Sequence, residues 1–365
     1  MSKDHNMSQM YDIRTVSVFS GAGGLDIGAI QAGAHIIWAN DIMKDACLSY
    51  RDNIGSHIVC GDINEKITEL DGIDDVALVI GGPPCQGFSV AGKMDKNDKR
   101  SQLVWSYLSV IEKLKPKAFV MENVKALGTL KRWGSLRDEL LKKMRGLGYS
   151  VNLMILKAVD FDVPQMRERV FFVGFRGDPA LVPDISSMVK PYSKRACHLR
   201  DVLKTLDKAG TGNNTDVCRA NITLAKKPIF RSTAYAGMLF NGLGRPLRLD
   251  GYSATLPASM GGNKTPILDE NELYFSSKPW VESYFDEVRR NPSIVETTQV
   301  PQYLRRITVA EAALIQTFPL NYNFHGSQSM RYTQIGNAVP CNMAKAVVQM
   351  VIDVLVGKRK TLYVM

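Results

Sequence analysis

Val16-Ser-Val-Phe-Ser-Gly-Ala-Gly-Gly-Leu-Asp-Ile-Gly28 reads as a β-strand that runs into a glycine-dense turn and then a helix. Glycines at that place let a ligand approach the backbone at the carboxyl end of the strand. The spacing is Gly21-x-Gly23-Gly24, with Asp26 where a dinucleotide fingerprint has its third glycine, so a nicotinamide dinucleotide is disfavoured. Working outward, β-rich runs at 15–20, 35–40, 76–80, 117–121, 151–156 and 169–174, with a shorter one at 57–60, alternate with amphipathic stretches. That rhythm predicts an α/β chain with a doubly wound parallel sheet.

Acidic residues follow the next two strands. Asp41 comes 20 residues after Gly21, where a carboxylate can accept both ribose hydroxyls of a bound nucleoside. Asp62, in Cys60-Gly-Asp-Ile63, can accept from an adenine amino group. Directly after the apolar run 76–80 comes Gly81-Gly-Pro-Pro-Cys-Gln-Gly-Phe-Ser89, which puts Cys85 on a proline-stiffened turn at the mouth of the sheet. A loop cysteine beside a ligand crevice is a nucleophile candidate. Cys47 and Cys341, in apolar periodic segments, read as buried structural residues. The strand Ala118-Phe-Val-Met-Glu-Asn-Val124 ends in a carboxylate and an amide, which a parallel sheet delivers to the same edge as Cys85.

The chain has 46 Lys+Arg against 36 Asp+Glu, a formal net charge of +10, which favours a polyanionic partner with salt-dependent binding. Its six cysteines, at 47, 60, 85, 197, 218 and 341, show no paired metal-ligand spacing and no disulfide framework, as suits a reducing cytoplasm. The polar start MSKDHNMSQMYDIR lacks the apolar centre of a signal peptide, and no run reads as the roughly 18 apolar residues of a membrane span.

From Phe19-Ser-Gly-Ala-Gly-Gly24 through Pro83-Pro-Cys-Gln86 and Glu122-Asn-Val124, the chain resembles the DNA (cytosine-5) methyltransferases, in the form found in bacterial and phage restriction-modification systems. Gln165-Met-Arg-Glu-Arg-Val-Phe171 and Gln334-Ile-Gly-Asn-Ala-Val-Pro340 extend the match, which covers roughly residues 14–175 and 303–356. Asp41 stands where many members carry Glu, and Ala338 where Ser is also common; a carboxylate and the amide of Asn337 remain.

The resemblance implies a Rossmann-like methyltransferase sheet and a smaller, loop-rich target-recognition domain. It also implies a C-terminal helix packed back beside the first strand. Residues 1–13 are expected to lack structure, 14–178 to bind the cofactor, 179–302 to recognise the target, and 303–365 to return to the catalytic domain. Within the last part, Thr308 and Glu311 have the spacing of a capping box, and an apolar helix follows Pro340 to about Val356. The implied cofactor is S-adenosyl-L-methionine, with S-adenosyl-L-homocysteine as product and no metal. Its implied surroundings are Phe19, Ser20, Gly21, Gly23, Gly24, Leu25, Asp41, Ile42, Asp62, Ile63, Pro83, Asn337 and Val339.

Cytosine C5 is too weak a nucleophile to attack a sulfonium methyl unaided, so a thiolate, Cys85, must first add at C6. The resemblance assigns Glu122 to protonate or hydrogen-bond N3 as charge builds on the ring. It has Arg167 and Arg169 steady Glu122, the cytosine O2 and a nearby phosphate, and Asn123 hold the Cys85 loop. The i,i+2 spacing of the arginines on an extended segment puts both on one face. C5 and C6 are not both accessible in a stacked duplex, so the base must be flipped out. The loop 86–100, with Gln86, Ser89, Lys93, Lys96, Lys99 and Arg100, reads as a lid closing over DNA. Arg245, Arg248, Thr255, Asn263 and Lys264 are candidate base or phosphate contacts in the recognition region.

The partners that follow are double-stranded DNA and, functionally, a cognate restriction endonuclease; a cytoplasmic monomer and no membrane are expected. Two other readings stay open: a tRNA cytosine-5 methyltransferase of the same fold, and a catalytically silent DNA-binding relative, whose mark would be loss of Cys85 or Glu122.

Overall fold

The computed structural model describes residues 12–84 and 102–364. Cys85, Gln86, Ser89, Lys93, Lys96, Lys99 and Arg100 lie outside the described residues. Seven strands form the main sheet: β1 (Ile13–Val18), β2 (Ala34–Asp41), β3 (Ile58–Cys60), β4 (Leu78–Gly81), β5 (Ala118–Val124), β6 (Tyr149–Lys157) and β7 (Glu168–Arg176), in the order 3-2-1-4-5-7-6. Asp12 and Ile13, expected in an unstructured leader, are placed: Ile13 opens β1, and Asp12 Oδ1 meets His35 Nδ1 at 2.9 Å.

The sheet is sandwiched, and its strands alternate to serve both sides. On β4 and β5, Leu78, Ile80, Ala118 and Val120 join the cluster beneath helices α1 (Gly24–Gln31) and α2 (Lys44–Asn53). Val79, Phe119 and Met121 join the opposite cluster beneath α3 (Gln102–Leu114) and α4 (Gly134–Gly146). On α3 the buried Val104, Tyr107, Leu108 and Ile111 recur at i, i+3, i+4 and i+7, so one stripe of the helix meets the sheet.

One strand departs from the parallel expectation. β7 runs antiparallel to both neighbours, with Glu122 opposite Phe171 and Val124 opposite Arg169. Only residues 158–167 separate β6 from β7, too few for the crossover that a parallel pair needs. The reversal brings the start of β7 to the edge where β1 to β5 end.

The C-terminal part supplies α5 (Val309–Ile315), α6 (Gln328–Asn337) and α7 (Cys341–Leu355). Thr308 and Glu311 close a reciprocal capping box at the start of α5. The span Gln328–Leu355 is long and apolar enough, by length and composition, to cross a membrane. It is nevertheless broken at Ala338–Pro340, and α7 is a core helix: Met343, Ala344, Val347 and Val351 are fully buried. A Cβ on Gly28 of α1 would stand 2.4 Å from the Cys341 carbonyl and 2.5 Å from the Ala344 Cβ, so the bare glycine permits close contact between the first and last helices.

Between β7 and α5 the chain forms short elements. Leu199, Leu203, Leu247, Leu249, Leu256 and Leu273 share a hydrophobic cluster with Ile307, Val309, Tyr332 and Ile335, so apolar packing runs across residue 302. A separate cluster built on Leu239, Phe240, Tyr284, Phe285 and Val288 completes this region.

Candidate active site

The carboxyl ends of β1 to β5, the start of β7 and the α6–α7 connection border an open cleft. Phe19, just past β1, sits at φ 57°, a conformation that bulky side chains rarely adopt and that the surrounding turn must hold in place. Gly21, at φ 55°, has nothing within 4 Å of where a Cβ would stand, so the turn presents bare backbone to the cleft. The Gly21 N–H donates to Asp41 Oδ2 and the Met43 N–H to Asp41 Oδ1, both at 2.8 Å. Each oxygen keeps a further lone pair for a hydroxyl. Burial raises the Asp41 pKa, and the amides of Met43, Gly21 and Ile42 partly counter it.

Asp62 caps the short helix Ile63–Lys66, its Oδ1 accepting from the Asn64 N–H at 2.9 Å. Ile42 is 67% exposed, an apolar face left open at the cleft. Carboxylates at two strand ends, an apolar face and a bare backbone turn together fit a nucleoside carrying an amino-acid-like tail.

At the other end of the cleft, Glu122 is buried and paired with Arg169, Nε to Oε1 at 2.8 Å. Burial raises the Glu122 pKa, against the opposing charges of Arg169 and Arg167. A Cβ on Gly82 would lie 3.1 Å from Glu122 Oε2, so the glycine leaves room for the carboxyl group. Asn123 Nδ2 donates to the Pro83 carbonyl at 3.0 Å, bracing the Gly82-Pro83-Pro84 segment that leads into Cys85.

Arg167 does not share the Arg169 arrangement. It falls in the break between the short strand Gln165–Met166 and β7, where strict alternation lapses. Its guanidinium, although at the cleft, donates to the carbonyls of Leu256 (3.4 Å), Gly336 (3.1 Å) and Ala338 (2.9 Å). Beside it, Gln165 Nε2 donates to Gln316 Oε1, whose own amide donates to the Ile335 carbonyl at 2.7 Å. Gln165, Gln316 and Gln334 carry no expected role from the sequence, yet Gln334 lines the cleft and accepts from the Ser49 hydroxyl at 2.6 Å.

Of the expected cofactor residues, Phe19, Ser20, Gly21, Leu25, Asp41, Ile42, Asp62, Ile63, Pro83, Asn337 and Val339 line the cleft, together with Glu122, Asn123, Arg167 and Arg169. Gly23 and Gly24 lie behind it: a Cβ would meet Ile54 at 2.2 Å from the first and the Val339 carbonyl at 2.5 Å from the second.

The expected recognition residues do not line the cleft. Thr255 Oγ1 donates to the Met166 carbonyl at 3.0 Å, and Ser253–Ala254 pairs with Gln165–Met166, so this stretch adjoins Arg167 and Arg169. Arg245 is half-buried, its Nη1 3.4 Å from the Gly242 carbonyl, while Arg248, Asn263 and Lys264 are exposed.

Residues 13–353 match the family described as C-5 cytosine-specific DNA methylase. Type II methyltransferase M.FnuDI of Fusobacterium nucleatum is 31% identical over 358 residues, covering 95% of this chain and 96% of that protein. M.PspPI of a Psychrobacter strain is 34% identical over 358 residues, covering 95% and 81%. The S. pombe Dnmt2 methyltransferase structure superposes with a TM-score of 0.65 at 20% identity, covering 95% of this chain and 99% of that one, a likeness of fold. With a strand-end cleft of this composition and a family match over nearly its whole length, the chain belongs to the C-5 cytosine-specific DNA methylase family.

Proposed function

We propose that this chain methylates carbon 5 of a cytosine flipped out of duplex DNA, using Cys85 as nucleophile, and thereby protects DNA from a cognate restriction endonuclease. Family membership implies S-adenosyl-L-methionine as donor. The observation that carries the reading is Glu122: a buried carboxyl with a raised pKa, paired to Arg169, in one cleft with Asp41 and Asp62 and beside the Pro83-Pro84 run into Cys85.

Asp41 would accept the ribose hydroxyls and Asp62 the adenine amino group, with Phe19 and Ile42 against the base. When bound, the donor supplies an electrophilic methyl group. Cys85, with an unperturbed pKa of about 8.5, adds as the thiolate to C6, and the displaced electron pair makes C5 nucleophilic. Glu122, kept protonated more readily by burial, donates to N3 as charge builds there. Arg169 fixes the orientation of the carboxyl group. After transfer, the C5 proton leaves to solvent and Cys85 departs, restoring the ring.

Residues 14–178 with 303–365 would form the catalytic part and 179–302 the recognition part, with exposed Arg248, Asn263 and Lys264 toward DNA. The names of the relatives as type II methyltransferases support a restriction-modification role. A cytoplasmic monomer suits an enzyme that modifies each strand in turn.

Labelled methyl transfer from S-adenosyl-L-methionine to duplex DNA and to tRNA, followed by bisulfite mapping, tests the proposal. Label in one short DNA motif, reduced at least roughly 10³-fold in Cys85→Ser, is expected. Label in tRNA alone, or undiminished transfer by the variant, would overturn it.

A further inference from the structure

Behind the glycine turn lies a carboxylate that the proposed reaction does not use. Asp26, in the first turn of α1, is fully buried. Tyr50 donates its hydroxyl to Asp26 Oδ1 at 2.8 Å, and the same hydroxyl lies 3.1 Å from His57 Nε2. Asp26 Oδ2 is buried with no hydrogen-bond partner among the described residues. The Ser17 hydroxyl lies close enough to Asp26 to lower its pKa, and it donates to Ser20 Oγ at 3.2 Å, with Ser20 lining the cleft. Asp26 is therefore separated from the cleft by two serines.

The titratable groups facing Asp26 from the packed elements are Tyr50 on α2, His57 before β3, Asp41 at the end of β2, and Tyr322 and Cys341 from the C-terminal part. Burial holds the His57 pKa below its usual value, and Asp41 adds repulsion, so no cation among the described residues offsets Asp26 at neutral pH. Burial pushes the Asp26 carboxyl up to about 6, which leaves it ionised at pH 7. An uncompensated buried charge is expensive for the fold. Its place behind the turn suggests what it serves.

We infer that Asp26 is a specificity-determining residue: it keeps a negative charge behind the glycine turn that favours the cationic sulfonium donor over its neutral thioether product. The inference rests on S-adenosyl-L-methionine being the ligand of this cleft. By Coulomb's law two unit charges about 10 Å apart, at an effective dielectric of about 20, change an affinity on the order of tenfold, which sets the scale of effect expected here. Both ligands share the nucleoside and the amino-acid tail, so the ratio of their affinities isolates the sulfonium charge.

Isothermal titration of the full-length chain with each ligand, between about pH 5 and pH 8 in two buffers of different ionisation enthalpy, reads this out directly. The donor-to-product affinity ratio should fall about tenfold as pH drops through 6, with protons released near pH 6 on binding the donor only. Asp26→Asn should abolish both effects while holding product affinity within about twofold. Tyr50→Phe removes a donor to the carboxylate and should move the midpoint to higher pH, a shift that titration of Asp41 would not produce.

A ratio independent of pH in the wild type, or an equal loss of both ligands in Asp26→Asn, would reduce Asp26 to a structural residue. Wild-type protein that binds neither ligand would overturn the cofactor reading and this inference with it. Product binding without discrimination would overturn the inference alone.

Discussion

On one side of the cleft, Asp26 and Asp41 hold carboxylates that form no ion pair among the described residues, and burial works against both. On the other, Arg167 gives its guanidinium to three backbone carbonyls, from Leu256, Gly336 and Ala338. The first side spends stability to hold charge at the cleft and behind it. The second, although burial also works against the Arg167 charge, gives that guanidinium acceptors on segments as much as 171 positions apart in sequence. Substitutions on the two sides should therefore move stability in opposite directions.

The largest effect belongs to Glu122, the proposed proton donor between them. Glu122→Gln should lower kcat by roughly 10²- to 10³-fold, with donor affinity unchanged by titration. In the wild type, kcat should fall as pH rises through the raised Glu122 pKa, because only the protonated carboxyl can donate to N3. The variant should lose that limb; a limb that persists would give the titration to another group.

Next, Arg167→Ala leaves the Leu256 and Gly336 carbonyls without their guanidinium donor and Ala338 with the Gln316 amide, and should cost about 2 kcal/mol in chemical denaturation, together with kcat/KM. Unchanged stability would erase the contrast between the two sides.

Asp26→Asn should act the other way. The shift from 3.8 to about 6 corresponds to about 3 kcal/mol of strain carried by the ionised form. That cost is absent below the unfolded pKa, appears as pH rises, and is complete above 6. The variant should gain about 2 kcal/mol at pH 7, since the amide keeps some polar burial, and gain nothing below about pH 4. Destabilisation at pH 7 would place Asp26 with Arg167 among the structural residues.

The smallest effect tests the contact between the recognition stretch and α6. A Cβ on Gly336 would stand 2.6 Å from Ala258 and Pro257 backbone atoms, so Gly336→Ala should cost about 1–2 kcal/mol in thermal unfolding, with donor affinity held.

These two sides also differ in how far the sequence reveals them. The strand-end side is local: a β-run, a glycine turn and an acidic residue at the next strand end fall within some 25 positions, and each piece has its own steric or hydrogen-bonding signature. The seven strands and the Thr308–Glu311 box were readable for the same reason. The direction of β7 was not, because it depends on the short link at 158–167 and not on the strand's own pattern. Nor was the second job of Arg167: its acceptors are backbone carbonyls, which every residue has, so nothing in the side chains at 256, 336 or 338 announces them. Asp26 was noticed only as a missing glycine, since burial without a counter-ion is a property of neighbours such as Tyr50 on α2 and His57 before β3.

The close approach of Gly28 to Cys341 and Ala344 joins α1 to α7, helices far apart in the sequence. The glycine turn therefore gains its backing only once α7 has been synthesised. A nascent chain can lay down β1 to β5 in order, yet the glycine turn stays unsupported until α7 emerges and folds back. A chain that stops short of α7 should then be inert, so that modification of DNA waits for that helix.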